Sequence, residues 1–258
     1  MHLSNLARAL LELTAFGAGF VDAIAGGGGL LTVPALLAAG LPPHLALGTN
    51  KGQSVFGSAS SLLRYARSPL LDRKQARLTF PLGLCGSFIG ASLLLWMRPE
   101  VLKPVVIGLL IAAAAFLAVQ RPGEASRRVR VARPMRVAGL AALCLGAYDG
   151  FFGPGVGTFL IVVFVALLGR PLDAASADAK AVNFASNLAA VLLFASRGVV
   201  IWSVALPMAL AQALGAFLGA HATLRGGEKL VRPMVLIVVA ALVIKLAAEL
   251  IQSHGPNW

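Results

Sequence analysis

The sequence predicts an all-α polytopic membrane protein: two inverted repeats of about five membrane segments each, with glycine-broken helices near the bilayer midplane. Three observations predict it. The first is composition. Of 258 residues, 58% are hydrophobic and only 12% charged, and mean hydropathy is +0.84. Soluble domains run near about 25% charged residues, so this chain cannot cover its own surface in water. The second is charge placement: 22 Lys+Arg stand against 10 Asp+Glu, net +12. In a membrane chain that excess reads as a topology signal rather than a nucleic-acid footprint. The third is an internal repeat.

A helix needs roughly 20 apolar residues to cross a bilayer. Segments of that kind occupy 5–25, 45–66, 78–97, 101–120, 181–196, 203–221 and 232–251. The first ends in Ala23-Ile24-Ala25, which mimics a leader cleavage site, but its surroundings recur in the interior and it reads as a span. Two shorter stretches, 29–40 and 157–169, follow glycine clusters, and 137–151 precedes the second cluster. Whether the short stretches cross or re-enter stays open. Cys85 and Cys144 lie in apolar stretches and form neither a metal-ligand spacing nor an expected disulfide.

Gly19, Asp22, Gly26 and Gly28 recur 127 positions later as Gly146, Asp149, Gly153 and Gly155. Further on the offset is 129: Lys51 matches Lys180, Gly86 and Gly90 match Gly215 and Gly219, and Lys103-Pro104 matches Arg232-Pro233. The expected organisation is therefore a first repeat over 1–120, a basic linker over 121–136 and a second repeat over 137–258. The loop over 64–77 carries five basic residues, Arg64, Arg67, Arg73, Lys74 and Arg77, whereas its counterpart carries only Arg197. Under the positive-inside rule equivalent loops then lie on opposite sides, with 64–77 and the linker cytoplasmic. Inverted repeats of this kind place a substrate site between them.

Ionisable groups inside apolar runs are functional candidates because burying them in hydrocarbon costs about 2.5–3.5 kcal/mol even on lenient scales. Asp22 and Asp149 qualify, and both precede a glycine-rich break. A helix restarting there presents free N–H groups that favour an anion. This nominates Gly27, Gly28, Gly29 and Thr32, with Gly155, Gly157 and Thr158 in the second half. Capping of the new helix piece by each Asp is the structural alternative. Lys51, Ser54 and Ser58 share one helix face, matched by Lys180, Asn183 and Asn187, with Thr49, Asn50, Gln53 and Ser186 adding polarity. Repeated donors on one face suit an oxyanion. Snorkelling of Lys51 to the interface, pairing of Lys180 with Asp178, and a purely interhelical role for the Ser/Asn face are the rival readings. Gly86xxxGly90 and Gly215xxxGly219 read as close helix packing. His44, in a turn after two prolines, and His221, at a segment end, read as structural, as do the Arg8/Glu12 and Lys245/Glu249 pairs.

Three stretches carry a resemblance to a known family: Gly19 to Pro34 with its four-glycine run, Leu47-Gly48-Thr49-Asn50-Lys51, and Tyr148-Asp149-Gly150-Phe151-Phe152-Gly153-Pro154-Gly155-Val156-Gly157. Together they resemble the sulfite exporter TauE/SafE family, in its branch of bacterial inner-membrane permeases. The resemblance implies a secondary transporter of small anions, sulfite or organosulfonate in type, driven by an ion gradient. Asp22 and Asp149 are the expected sites of H⁺ or Na⁺ coupling. The partners expected are a small anion and the lipid bilayer, with a homodimer as the oligomer to test and no nucleic acid. The sequence holds no HExxH, GxSxG, Cys/His cluster or P-loop, so neither an enzyme nor an ATP-driven pump is expected and no cofactor is implied. A passive anion channel and, more remotely, a membrane-embedded enzyme are the alternatives.

Overall fold

The computed structural model describes residues 4–98, 100–102, 104–106, 108–109, 133–227, 229–231 and 233. Most of segment 101–120, the linker apart from its last residues, segment 232–251 and the Lys245/Glu249 pair lie outside the described residues. So does the matched Lys103 and Arg232.

Eight long helices carry the described chain: α1 (Asn5–Ala25), α2 (Gly29–Ala38), α3 (Pro43–Tyr65), α4 (Arg73–Trp96), α5 (Pro134–Phe151), α6 (Val156–Leu168), α7 (Leu172–Ser196) and α8 (Trp202–Gly226). No strand occurs among the described residues. Local chemistry sets the helix starts. The Ser4 side chain accepts the Ala7 N–H at α1, and Asp72 accepts the Lys74 and Gln75 N–H groups at α4, each satisfying otherwise orphaned donors. Proline opens α3 and α5, where its missing N–H costs nothing. Three of the helices, α4, α7 and α8, are long and apolar enough to cross a membrane by length and composition.

The surface is inverted relative to a soluble protein. Leu6, Leu10, Leu13, Leu210, Leu214 and Phe88 are exposed, while Thr32, Asn50, Lys51, Gln53, Asp149, Lys180 and Asn183 are buried. An apolar belt of that extent suits lipid rather than water. Cys85 and Cys144 are free and sit on it.

The glycine breaks are reversals of direction, not simple interruptions. Leu36 of α2 shares a buried cluster with Leu11 and Ala15 of α1, so α2 doubles back along α1. Likewise Phe164 of α6 shares one with Ala138 and Ala142 of α5. Gly26 and Gly27 take φ of 76° and 90°, Gly153 and Gly155 take 98° and 86°, backbone that side chains with a Cβ rarely adopt. With ten residues, α2 covers about 15 Å, half a hydrocarbon core. The stretch 29–40 thus forms a short helix that folds back on α1. Its counterpart α6 is three residues longer and folds back in the same manner.

Packing crosses between the halves. Gly215 and Gly219 of α8 lie on the backbone of Phe16 and Phe20 in α1, and Gly86 and Gly90 of α4 on that of Leu143 and Ala147 in α5. Residue numbers rise together in both pairs, so each pair runs in the same direction. These are the two sequence-matched glycine pairs, and both are packing surfaces. Gly48 and Gly57 of α3 lie on Val199, just ahead of α8, and on Gln212 within it, and Gly83 of α4 lies on Val182 of α7. By contrast, α3 and α7 run in opposite directions. Leu47 shares a cluster with Phe194, and Tyr65 shares one with Ala177.

Candidate functional site

The two hairpin tips meet inside the bundle. Gly26 faces the backbone of Gly157 and Thr158, and Gly29 faces Pro154. The Thr158 hydroxyl donates to the Ala25 carbonyl at 3.0 Å. Beside this contact, α3 and α7 bring in their polar faces. The result is a small central cavity of about 30 Å³ lined by Asp22, Gly29, Asn50, Lys51, Ser54, Asp149, Gly153, Val156, Asn183, Asn187 and Gln212.

Both sequence-nominated lysines are tied to carboxylates of the opposite half. Lys51 Nζ lies 2.5 Å from Asp149 Oδ1, and Lys180 Nζ lies 2.8 Å from Asp22 Oδ2. Lys51 does not snorkel, being 2% exposed. Nor does Lys180 pair with Asp178, which instead accepts from Arg170 at 2.7 Å and from the Asp72 N–H at 2.8 Å. Two buried ammoniums, the buried Asp149 carboxylate and the partly buried Asp22 carboxylate thus cancel at the centre, which keeps the low-dielectric interior free of uncompensated charge.

The surroundings of the two pairs differ. Asp149 also accepts from the Ser186 hydroxyl. Asp22 Oδ1 accepts the Gly28 N–H at 3.1 Å, so Asp22 both caps the start of α2 and holds Lys180. Asp149 makes no such cap, and the Gly155 N-terminus of α6 has no side-chain cap. Asn183 Oδ1 and Gln212 Oε1 are buried with no hydrogen-bond partner.

Other nominated residues serve the frame. Thr32 donates to Asn50 Oδ1 and to the Gly28 carbonyl. Thr49 accepts the Ile201 N–H at the head of α8. Ser58 donates back to the Ser54 carbonyl, and Asn187 Nδ2 to the Asn183 carbonyl. Gly27, Gly28, Gly155 and Gly157 shape the tips. Gln212 belongs with the site although the sequence did not nominate it; Ser186, noted for its polarity beside the Lys180 face, and Gly153, of the second glycine motif, join it as well. Gln212 was detectable as an isolated amide deep in the 203–221 run.

A larger cavity of about 570 Å³ opens at the bundle end holding 197–201; Pro42, His44, Trp96, Arg197 and Val199 are among its walls. His44 sits in the first turn of α3, and Leu47 lies between it and Lys51. Leu47 packs in a buried cluster with Phe194 and Val200, so apolar side chains separate the two cavities along α3. At the opposite end, Arg64 donates to His221 Nδ1 at 2.9 Å.

Glycine-broken hairpins, an apolar exterior and a buried lysine–carboxylate centre accompany a match to the family model for "Sulfite exporter TauE/SafE" over residues 11–246. The chain belongs to that family. It is similar to the "Probable membrane transporter protein YfcA" of Escherichia coli strain K12, at 41% identity covering 98% of this chain and 93% of the relative. A Sinorhizobium protein of the same description, ORF9, is also 41% identical, over 93% of this chain and 92% of its own length. A Haemophilus influenzae relative is 38% identical over 93% and 94%. No solved structure matches the chain. This family member is thus a multi-pass membrane transporter and not an enzyme.

Proposed function

We propose that this chain is a secondary transporter of small oxyanions, sulfite or organosulfonate in type, working by alternating access between two inverted repeats and driven by H⁺ or Na⁺. The observation that carries the reading is a pair of cross-half lysine–carboxylate contacts, three of whose four members, Asp22, Lys51 and Asp149, line one small central cavity. Ammonium and amide donors there suit an oxyanion. The opposed directions of α3 and α7 support the inversion, and the family's name supports the substrate class. The 64–77 loop and the 121–136 linker are read as cytoplasmic and the membrane as the bacterial inner membrane. A passive channel is the rival. A central cavity with room for about one water, separated from the outer cavity by Leu47 and Phe194, favours a carrier.

The test is transport in proteoliposomes with the Asp22→Asn, Asp149→Asn double variant. Gradient-driven accumulation of sulfite or a sulfonate is expected to disappear while anion exchange remains. Unchanged concentrative uptake in the double variant would remove the coupling role from both carboxylates. Non-saturating flux in the wild type, never driven uphill, would favour the channel.

A further inference from the structure

The centre of the molecule carries no spare charge. Asp22, Asp149, Lys51 and Lys180 cancel, so an arriving anion finds each lysine already engaged. The ionisable groups facing Asp22 are few. Lys180 comes from α7, and Lys51 and Asp149, from α3 and α5, are bound to each other. Neither α2 nor α6 has an ionisable side chain. From α8 it faces Gln212, since His221 and Arg225 lie further along that helix. The Tyr65 phenol donates to the adjacent Ala23 carbonyl at 2.8 Å.

The two pairs are unequally held. Asp149 is wedged between two side-chain donors, Lys51 of α3 and Ser186 of α7, and its side chain is 3% exposed. The position matching Ser186 in the first half is Gly57, so no hydroxyl reaches Asp22 from there. Gln212 packs against Gly57 instead, and also against Gly19, one turn before Asp22. The Asp22 side chain is 19% exposed. Its cavity wall also holds Gln212 Oε1 and Asn183 Oδ1, two buried acceptors with no partner. Unmatched acceptors beside a carboxylate are costly in the ionised state and are ready for a carboxylic acid, which donates.

Resting on the anion-transport reading above, we propose that the two pairs have separate roles. Asp22–Lys180 is the working pair: protonation of Asp22 releases Lys180 to the substrate anion, while Lys51–Asp149–Ser186 is a fixed strut. One proton converts the Asp22 carboxylate to the neutral acid. Lys180 keeps its charge and, with Asn183 and Asn187 on the same face of α7, binds one monovalent anion. The charge of the centre is zero before and after, so the loaded carrier moves one H⁺ and one anion together. A metal cation is a poorer fit: each oxygen of Asp22 and Asp149 already accepts a hydrogen bond, and a cation would have to displace these donors. A proton needs no coordination shell.

The probes are methanesulfonate and p-toluenesulfonate, anions that, unlike sulfite, do not titrate between pH 5.5 and 8. Calorimetric binding to the full-length protein in detergent, repeated in two buffers of different ionisation heat, counts the protons taken up per anion. The wild type is expected to take up about one, with Kd weakening by up to about tenfold per pH unit on the alkaline side. Asp22→Asn should bind without proton uptake and without pH dependence. Ser186→Ala should keep the wild-type proton count. A wild-type count of zero with binding intact overturns the proposal and leaves the anion site standing, and it does so even if Asp22→Asn yields no folded protein. Proton uptake that survives in Asp22→Asn, or is lost in Ser186→Ala, also overturns it. Binding of neither sulfonate at any pH overturns the anion-site reading and this proposal with it.

Discussion

A lysine buried at 2% exposure, such as Lys51, persists only because its charge is answered. Removing one member of a buried pair leaves the other uncompensated, at a cost of about 3–5 kcal/mol. Lys51→Met should therefore lower the melting temperature in detergent far more than the Lys51→Met, Asp149→Asn double variant, in which neither group is charged. Equal losses in the two variants would show that the pair contributes through packing alone. The charged members of the site were legible in the sequence as isolated polar residues repeated in apolar runs. Their pairing was not. Lys51 and Asp149 stand 98 positions apart and Lys180 and Asp22 stand 158 apart, and no helical period relates such distances. Gln212 escaped for another reason: the residue matching it in the first half is Gly83, so the repeat gave no signal there.

Helix positions were legible too, because hydrocarbon thickness fixes the length of an apolar run. The predicted 5–25 segment coincides with α1, and 157–169 lies one residue from α6. The direction taken after each break was illegible, since glycine marks freedom of the backbone and not its destination. The packing of these helices depends on bare backbone surfaces. A Cβ at Gly90 would stand 1.9 Å from the Ala147 carbonyl oxygen, and one at Gly215 would stand 2.0 Å from that of Phe16. Gly90→Ala and Gly215→Ala should each destabilise by about 1–3 kcal/mol or lose the fold outright, read by thermal melting and size-exclusion profile. Gly17 is the control, with nothing within 4 Å. Gly17→Ala in α1 should stabilise by about 0.5–1 kcal/mol. If all three alanines behave alike, close approach is not what holds α1 to α8 and α4 to α5.

At the scale of the molecule, α1 of the first half packs on α8 of the second, and α5 of the second half packs on α4 of the first. Neither half buries its own glycine surface alone. Fragments cut within the 121–136 linker should accumulate only when expressed together; a stable, membrane-inserted 137–258 fragment by itself would contradict this. Sidedness is checked separately. With Cys85 and Cys144 replaced by alanine, Arg67→Cys should react with an impermeant thiol reagent only from the cytoplasmic face, and Arg197→Cys only from the other. Labelling of both from one face would refute the inverted arrangement. The cross-half ion pairs also bear on inheritance. Each takes one member from either half, so a change at Asp22 alters the demands on residue 180 and a change at residue 51 alters those on Asp149. At these four positions a change in one half is expected to be better tolerated when its partner in the other half changes with it, so the two halves are coupled in what they can vary.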